Sequence, residues 1–75
     1  MENLKPLLEL PVGGAGYIDS FTDKRAGSKL LAMGVLPGSK VEVLRAAPFG
    51  GALYVKVNQS YLALRTKEAA SILLK

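Results

Sequence analysis

The chain has 75 residues, 49% of them hydrophobic, and carries ten Lys/Arg against six Asp/Glu for a formal net charge of +4. It contains no cysteine and no histidine, which excludes disulfides, thiolate metal sites and histidine-based catalysis or metal ligation. The length suits one domain over residues 1–75, with a thin core that uses most of the apolar side chains.

At the start, Met1-Glu2-Asn3-Leu4-Lys5-Pro6 places an acid early with no long apolar run behind it, so it does not read as a signal peptide. No window approaches the roughly 18 apolar residues of a membrane span. The expectation is a soluble, cytoplasmic protein. Leu7-Leu8-Glu9-Leu10 then leads into Pro11-Val12-Gly13-Gly14-Ala15-Gly16, whose glycines allow a bend or bulge where backbones approach closely. That glycine run has neither the Gly-x-Gly-x-x-Gly spacing nor the Lys-Ser/Thr of a phosphate loop, and a strand follows it.

The strand is Tyr17-Ile18-Asp19-Ser20-Phe21, with β-branched and aromatic residues on alternating faces. Thr22 or Asp23 can cap a helix, because each offers a side-chain oxygen to a free N–H. Ala26, Leu30 and Met33, with Leu31 beside them, form an apolar stripe at helical spacing. Gly27 inside that run costs about 1 kcal/mol relative to alanine, which predicts a frayed first turn. Gly34 stands where a left-handed residue ends the helix. Leu36-Pro37-Gly38-Ser39 then reads as a type II turn, with Pro presetting φ and Gly accepting a positive φ.

Three strands follow: Lys40 to Ala46, where Val41, Val43 and Arg45 alternate with Glu42 and Leu44, then Leu53, Val55 and Val57 alternating with Tyr54 and Lys56, and Tyr61 to Arg65, the last two joined by Asn58-Gln59-Ser60. Thr66 is positioned to cap a single helical turn through Lys67-Glu68-Ala69-Ala70, and Ile72-Leu73-Leu74 reads as a closing strand. Short strands with tight Gly/Pro turns favour a barrel over an open sheet with long edges. The predicted fold is therefore mainly β: an SH3-like barrel of about five strands, with one short helix after the first strand and a helical turn before the last.

Candidate chemistry is sparse. The carboxylates Glu2, Glu9, Asp19, Asp23, Glu42 and Glu68 do not form a cluster that supplies the roughly six oxygens of a hard-cation site. The serines lack a histidine partner. These observations predict no catalytic residues, no metal ligands and no cofactor. The basic residues are scattered, the one local cluster being Lys24, Arg25 and Lys29, read as a solvated face. Tyr17, Phe21, Phe49, Tyr54 and Tyr61 suit core and rim packing or a base-stacking platform. Phe49, between Pro48 and two glycines, suits a loop tip that touches a partner or folds back on the barrel.

Taken together, the Leu/Val/Gly pattern beginning at Leu8, Leu30-Leu31-x-Met33-Gly34-Val35-x-Pro37-Gly38, Val41-x-Val43-x-Arg45-x-Ala47-Pro48-Phe49-Gly50, Leu62-x-Leu64-Arg65 and Glu68-Ala69 resemble the FeoA family of bacterial ferrous-iron transport. The same module looks like the C-terminal SH3-like domain of iron-dependent repressors. The resemblance implies a small cytoplasmic accessory protein that contacts the cytoplasmic part of a FeoB-type membrane transporter, a GTP-binding protein, with no membrane insertion of its own. The docking residues expected on this reading are Met33, Val35 and Leu36 with Pro48, Phe49 and Gly50. Arg25, Arg45 or Arg65 are candidates to reach a transporter-bound nucleotide.

The family loop usually reads Ala-Pro-Leu-Gly-Asp-Pro, whereas here it is Ala47-Pro48-Phe49-Gly50-Gly51-Ala52, one charge and one proline fewer, which predicts a looser loop. The family is also often associated with metal, but without His or Cys no tight ferrous site is expected. The alternatives are a metal-responsive regulatory module that binds a transition metal ion, and a basic nucleic-acid-binding barrel, the latter disfavoured. Exposed strand edges also permit a homo-oligomer.

Overall fold

Local turn chemistry sets the path of the chain, and a computed structural model describes residues 3–75 of it. The strands are β1 (Lys5–Pro6), β2 (Ala15–Phe21), β3 (Lys40–Ala46), β4 (Ala52–Val57), β5 (Ser60–Arg65) and β6 (Ile72–Leu74). The helices are α1 (Lys24–Ala32) and α2 (Thr66–Ala69), with short 3-10 turns at Leu7–Glu9 and Pro48–Gly50. All strand pairs are antiparallel, in the order β1-β6-β2-β3-β4-β5.

Within that order β2 serves two neighbours. Its first half pairs with β3 from Ala15↔Glu42 to Tyr17↔Lys40, and its second half pairs with β6 from Ile18↔Leu74 to Phe21↔Ile72. An irregularity between Ile18 and Ser20 lets the strand change partners, and such a bend curls a short sheet toward a barrel. The inward positions Ile18, Val41, Val43, Val55, Leu64, Ile72 and Leu74 fill one core together with Leu30 and Val35. Each fully buried aliphatic side chain of this kind stabilises the fold by roughly 1.5–3 kcal/mol.

Helix α1 starts on Asp23, whose Oδ1 accepts the Arg25 N–H at 3.0 Å. Its first turn is closed, with the Gly27 N–H donating to the Asp23 carbonyl at 2.7 Å, so the fraying predicted from Gly27 does not occur. Gly27 is buried against Phe21, and a Cβ there would stand 3.2 Å from both Phe21 Cβ and Cδ2. The residue that weakens helix propensity is the one that lets the helix lie on the sheet. This contact also centres the inward face on Gly27 and Leu30, leaving Leu31 and Met33 of the predicted stripe exposed.

The helix stops as anticipated. Gly34, at φ +87°, donates its N–H to Leu31 O at 3.0 Å, and Val35 donates to Leu30 O at 2.9 Å. These two bonds form a Schellman motif, in which the residue after the glycine folds back on the last helical turn. The following turn is closed by Ser39 N–H to Leu36 O at 3.1 Å, with Gly38 at φ +90°.

Four local expectations need correction. The N-terminal approach contains a two-residue strand, because β1 pairs with β6 (Lys5↔Leu74, Pro6↔Leu73), making six strands instead of about five. The β4–β5 loop has only two residues, since Ser60 already pairs with Val57. Alternation in β3 breaks at a register shift between Val43 and Arg45. Finally, Thr66 does not cap α2. The cap residue is Arg65, and Glu68 Oε1 reaches back to accept the Arg65 N–H at 3.2 Å.

Candidate docking surface

Every strong local restraint on the β3–β4 connection presents one side chain outward. Ala47 N–H donates to Ala52 O at 2.9 Å and Gly50 N–H donates to Ala47 O at 3.2 Å, closing the loop at its base. The Thr66 hydroxyl donates to the Gly50 carbonyl and ties the loop to α2. The substitutions relative to the usual family loop predicted looseness, but these three bonds tether it. At the tip Phe49 adopts φ +69°, ψ +9°, and its side chain is fully exposed. Gly50 follows at φ +76°, so two consecutive residues are left-handed. The ring does not fold back on the barrel. Beside the loop base, the Arg45 guanidinium stacks over the Tyr54 ring at 4.9 Å from its centroid, and the two residues are cross-strand partners.

The expected docking residues divide. Pro48, Phe49 and Gly50 are exposed together on this loop, and Met33 and Leu36 are exposed around the end of α1. Val35 is not on the surface. It is 0% exposed, because the Schellman motif turns it into the core, so it offers nothing to a partner. Nor are the two groups adjacent. The Leu36 turn precedes β3 and the Phe49 loop follows it, and a seven-residue strand spans about 20 Å.

Sequence reasoning missed a second feature. α1 and α2 lie side by side, joined by Lys29 Nζ to Glu68 Oε2 at 3.0 Å. A cleft of about 430 Å³ opens between them, walled by Arg25, Ala26 and Lys29 on one side and Arg65, Lys67 and Glu68 on the other. The Lys24, Arg25 and Lys29 cluster was its sequence signal, but the opposing wall comes from residues some forty positions away. The hydrogen bond from Lys29, helped by that from the Arg65 N–H, holds the Glu68 carboxyl below its ordinary value against the opposing effect of burial.

Other candidate groupings do not assemble. Asp23 caps α1, and Asp19 accepts the Ser20 hydroxyl at 2.8 Å. No three acidic residues gather to hold a metal ion among the described residues. The sequence has no His or Cys, so a metal would meet oxygen donors alone. Tyr17 and Tyr61 are exposed on β2 and β5, but β3 and β4 separate them, about 14 Å at ordinary strand spacing. They therefore form no continuous stacking platform. Among the described residues no helix is long and apolar enough to cross a membrane.

A family model for the FeoA domain matches residues 5–75. The chain belongs to the FeoA family. The family is associated with ferrous iron transport, and its solved members share this fold. The FeoA protein of Chlorobium tepidum is 30% identical with a TM-score of 0.82, over 93% of this chain and 69% of that one. FeoA of Stenotrophomonas maltophilia in complex with zinc is 28% identical with a TM-score of 0.75, over 92% and 87% of the two chains. That protein is an SH3 domain protein put forward as an activating factor of bacterial ferrous iron transport. A manganese-dependent transcriptional repressor bound to manganese superposes with a TM-score of 0.89 over the whole of this FeoA chain and 37% of its own, at 18% identity, a likeness of fold alone.

Proposed function

We propose that this FeoA protein is a non-enzymatic accessory factor of ferrous iron uptake, acting in the cytoplasm by docking on the cytoplasmic part of a FeoB-type transporter. The observation that carries this reading is Phe49, an aromatic ring held fully exposed at a tethered, left-handed loop tip. A free aromatic ring presented this way makes no contribution to the barrel core, whereas burial in a partner's apolar pocket is the commonest source of strong interface energy. Pro48 and Gly50 shape the tip and contact the pocket rim. Met33 and Leu36, at the other end of β3, belong to the interface only where the partner is broad enough to span both ends. The membership of the FeoA family, the association of that family with ferrous iron transport, and the role put forward for the Stenotrophomonas maltophilia protein support the transporter as the partner.

Burying one Phe ring at an interface contributes roughly 2–4 kcal/mol. Phe49→Ala is therefore expected to weaken binding of the transporter's cytoplasmic part, read by pull-down, by about thirtyfold or more, with the melting curve of the isolated chain unchanged. Equal retention by the variant and the parent chain would overturn the assignment of Phe49 as the anchor.

A further inference from the structure

The largest store of uncommitted charge lies in the cleft between α1 and α2. Four cations, Arg25, Lys29, Arg65 and Lys67, line it against two carboxylates, Asp23 and Glu68, leaving a formal charge of +2. Both carboxylates are already occupied. Asp23 Oδ1 takes the Arg25 N–H at 3.0 Å, while Glu68 uses one oxygen for Lys29 at 3.0 Å and the other for the Arg65 N–H at 3.2 Å. Among the described residues, Lys29 is the cation of this set with a carboxylate partner. The side chains of Arg25, Arg65 and Lys67 stand exposed around the cleft with their charges unmatched.

We propose that this cleft receives an acidic segment of a protein partner, seating two or more spaced carboxylates against Arg25, Arg65 and Lys67. The inference rests on the reading that the protein works by docking on another protein, and it specifies the chemistry of the docked surface. The distribution of charge favours carboxylates on a peptide over a phosphate group. A phosphate concentrates its charge at one point and needs several donors converging there, whereas these cations sit on two walls with the ionised Glu68 between them. Spaced carboxylates reach the separate cations and stay clear of Glu68. No aromatic ring lines the cleft to stack a base, and the stem of Lys29 with Ala26 gives a peptide backbone an apolar strip to lie on. The Phe49 loop is tethered to the same helix, because the Thr66 hydroxyl of α2 donates to the Gly50 carbonyl.

The test titrates the full ¹⁵N-labelled chain with an acidic hexapeptide, acetyl-Glu-Glu-Ala-Glu-Glu-Ala-amide, at low salt. Shifts are expected at Arg25, Ala26, Lys29, Arg65 and Lys67, declining as salt is raised. Removing two unmatched cations, Arg25→Gln with Lys67→Gln, is expected to weaken binding about tenfold, the upper range for exposed charge pairs. Both side chains are exposed, so the fold is retained. The charge-matched control Lys40→Gln with Lys75→Gln is expected to change binding less than about twofold. Equal weakening by the control, or shifts spread over every surface lysine, overturns the proposal in favour of unspecific charge. Tighter binding of inorganic phosphate or of a thymidine oligonucleotide overturns it in favour of a phosphate site. Phe49→Ala leaves hexapeptide binding intact, so loss of the cleft proposal and loss of the Phe49 anchor are separately readable.

Discussion

Two chain reversals in this FeoA protein use left-handed backbone for opposite ends. After α1, the positive φ angles fall on glycines, Gly34 and Gly38, and the side chains around them, Leu30 and Val35, are wholly buried. After β3, positive φ falls on Phe49 as well as Gly50, and the Phe49 side chain is fully exposed. A left-handed L-residue costs about 1–2 kcal/mol, and the first reversal avoids that cost while gaining core. The second accepts it with no packing in return. Strain retained without a structural gain is the pattern found where a segment serves recognition. The first reversal builds the scaffold, and the second leaves a side chain outside it.

The contrast can be broken from either side. Leu30→Ala removes a fully buried side chain beneath the Schellman motif and is expected to destabilise the fold by about 2–5 kcal/mol, read by chemical denaturation. No truncation of Phe49 comes near that loss. Gly34→Ala forces a Cβ into φ +87° with open space around it, so the expected loss is backbone strain alone, about 1 kcal/mol. At the other reversal the sign inverts. Phe49→Gly relieves the strain, offset in part by greater unfolded-chain entropy, and is expected to leave stability equal or raise it by up to about 1 kcal/mol while partner retention falls. A Phe49→Gly variant markedly less stable than the parent would show that the ring does serve the scaffold.

The smallest expected effect concerns the junction of α1 with α2, the helix to which the Phe49 loop is tethered. Glu68 has its folded-state pKa lowered by Lys29 and the Arg65 N–H. The stabilisation is therefore fully present above about pH 4.5, the ordinary value, and is lost as pH falls through the lower folded value. Lys29 is 64% exposed, so the contribution is below about 1 kcal/mol. Glu68→Gln is expected to flatten the acid limb of the stability profile below that pH and to reduce stability slightly at neutral pH.

The contrast also marks what could be read before the structure was known. The helix stop, the Pro37-Gly38 turn, β3 and the β4–β5 hairpin follow from neighbours in sequence, and the structure contains all of them. The burial of Val35 was equally local, since a residue just past a C-terminal glycine folds onto the last turn, but exposure had been assumed for it. β1 was not legible, because two residues including a proline carry no strand pattern and acquire order only by pairing with β6. Gly27 was legible only as a weak helix former, because Phe21, the reason for it, comes from another element. The cleft needed both helices in place.

One consequence follows from the position of β6. This three-residue strand is held on one side by β1 and on the other by β2, and the Lys75 N–H adds a bond to the Tyr17 carbonyl at 2.9 Å. The β3-β4-β5 meander closes through short loops, so its contacts cost little loop-closure entropy. The β6 seam instead joins Leu74 to Lys5 and Ile18, pairings that close much longer stretches of chain and cost more loop-closure entropy. Helix α2, which follows β5 directly and packs on β5, β4 and α1, stands between the local meander and this seam. Thr66 opens α2 at the end of β5, so the loop it binds is tied to the local half of the sheet rather than to the closing seam.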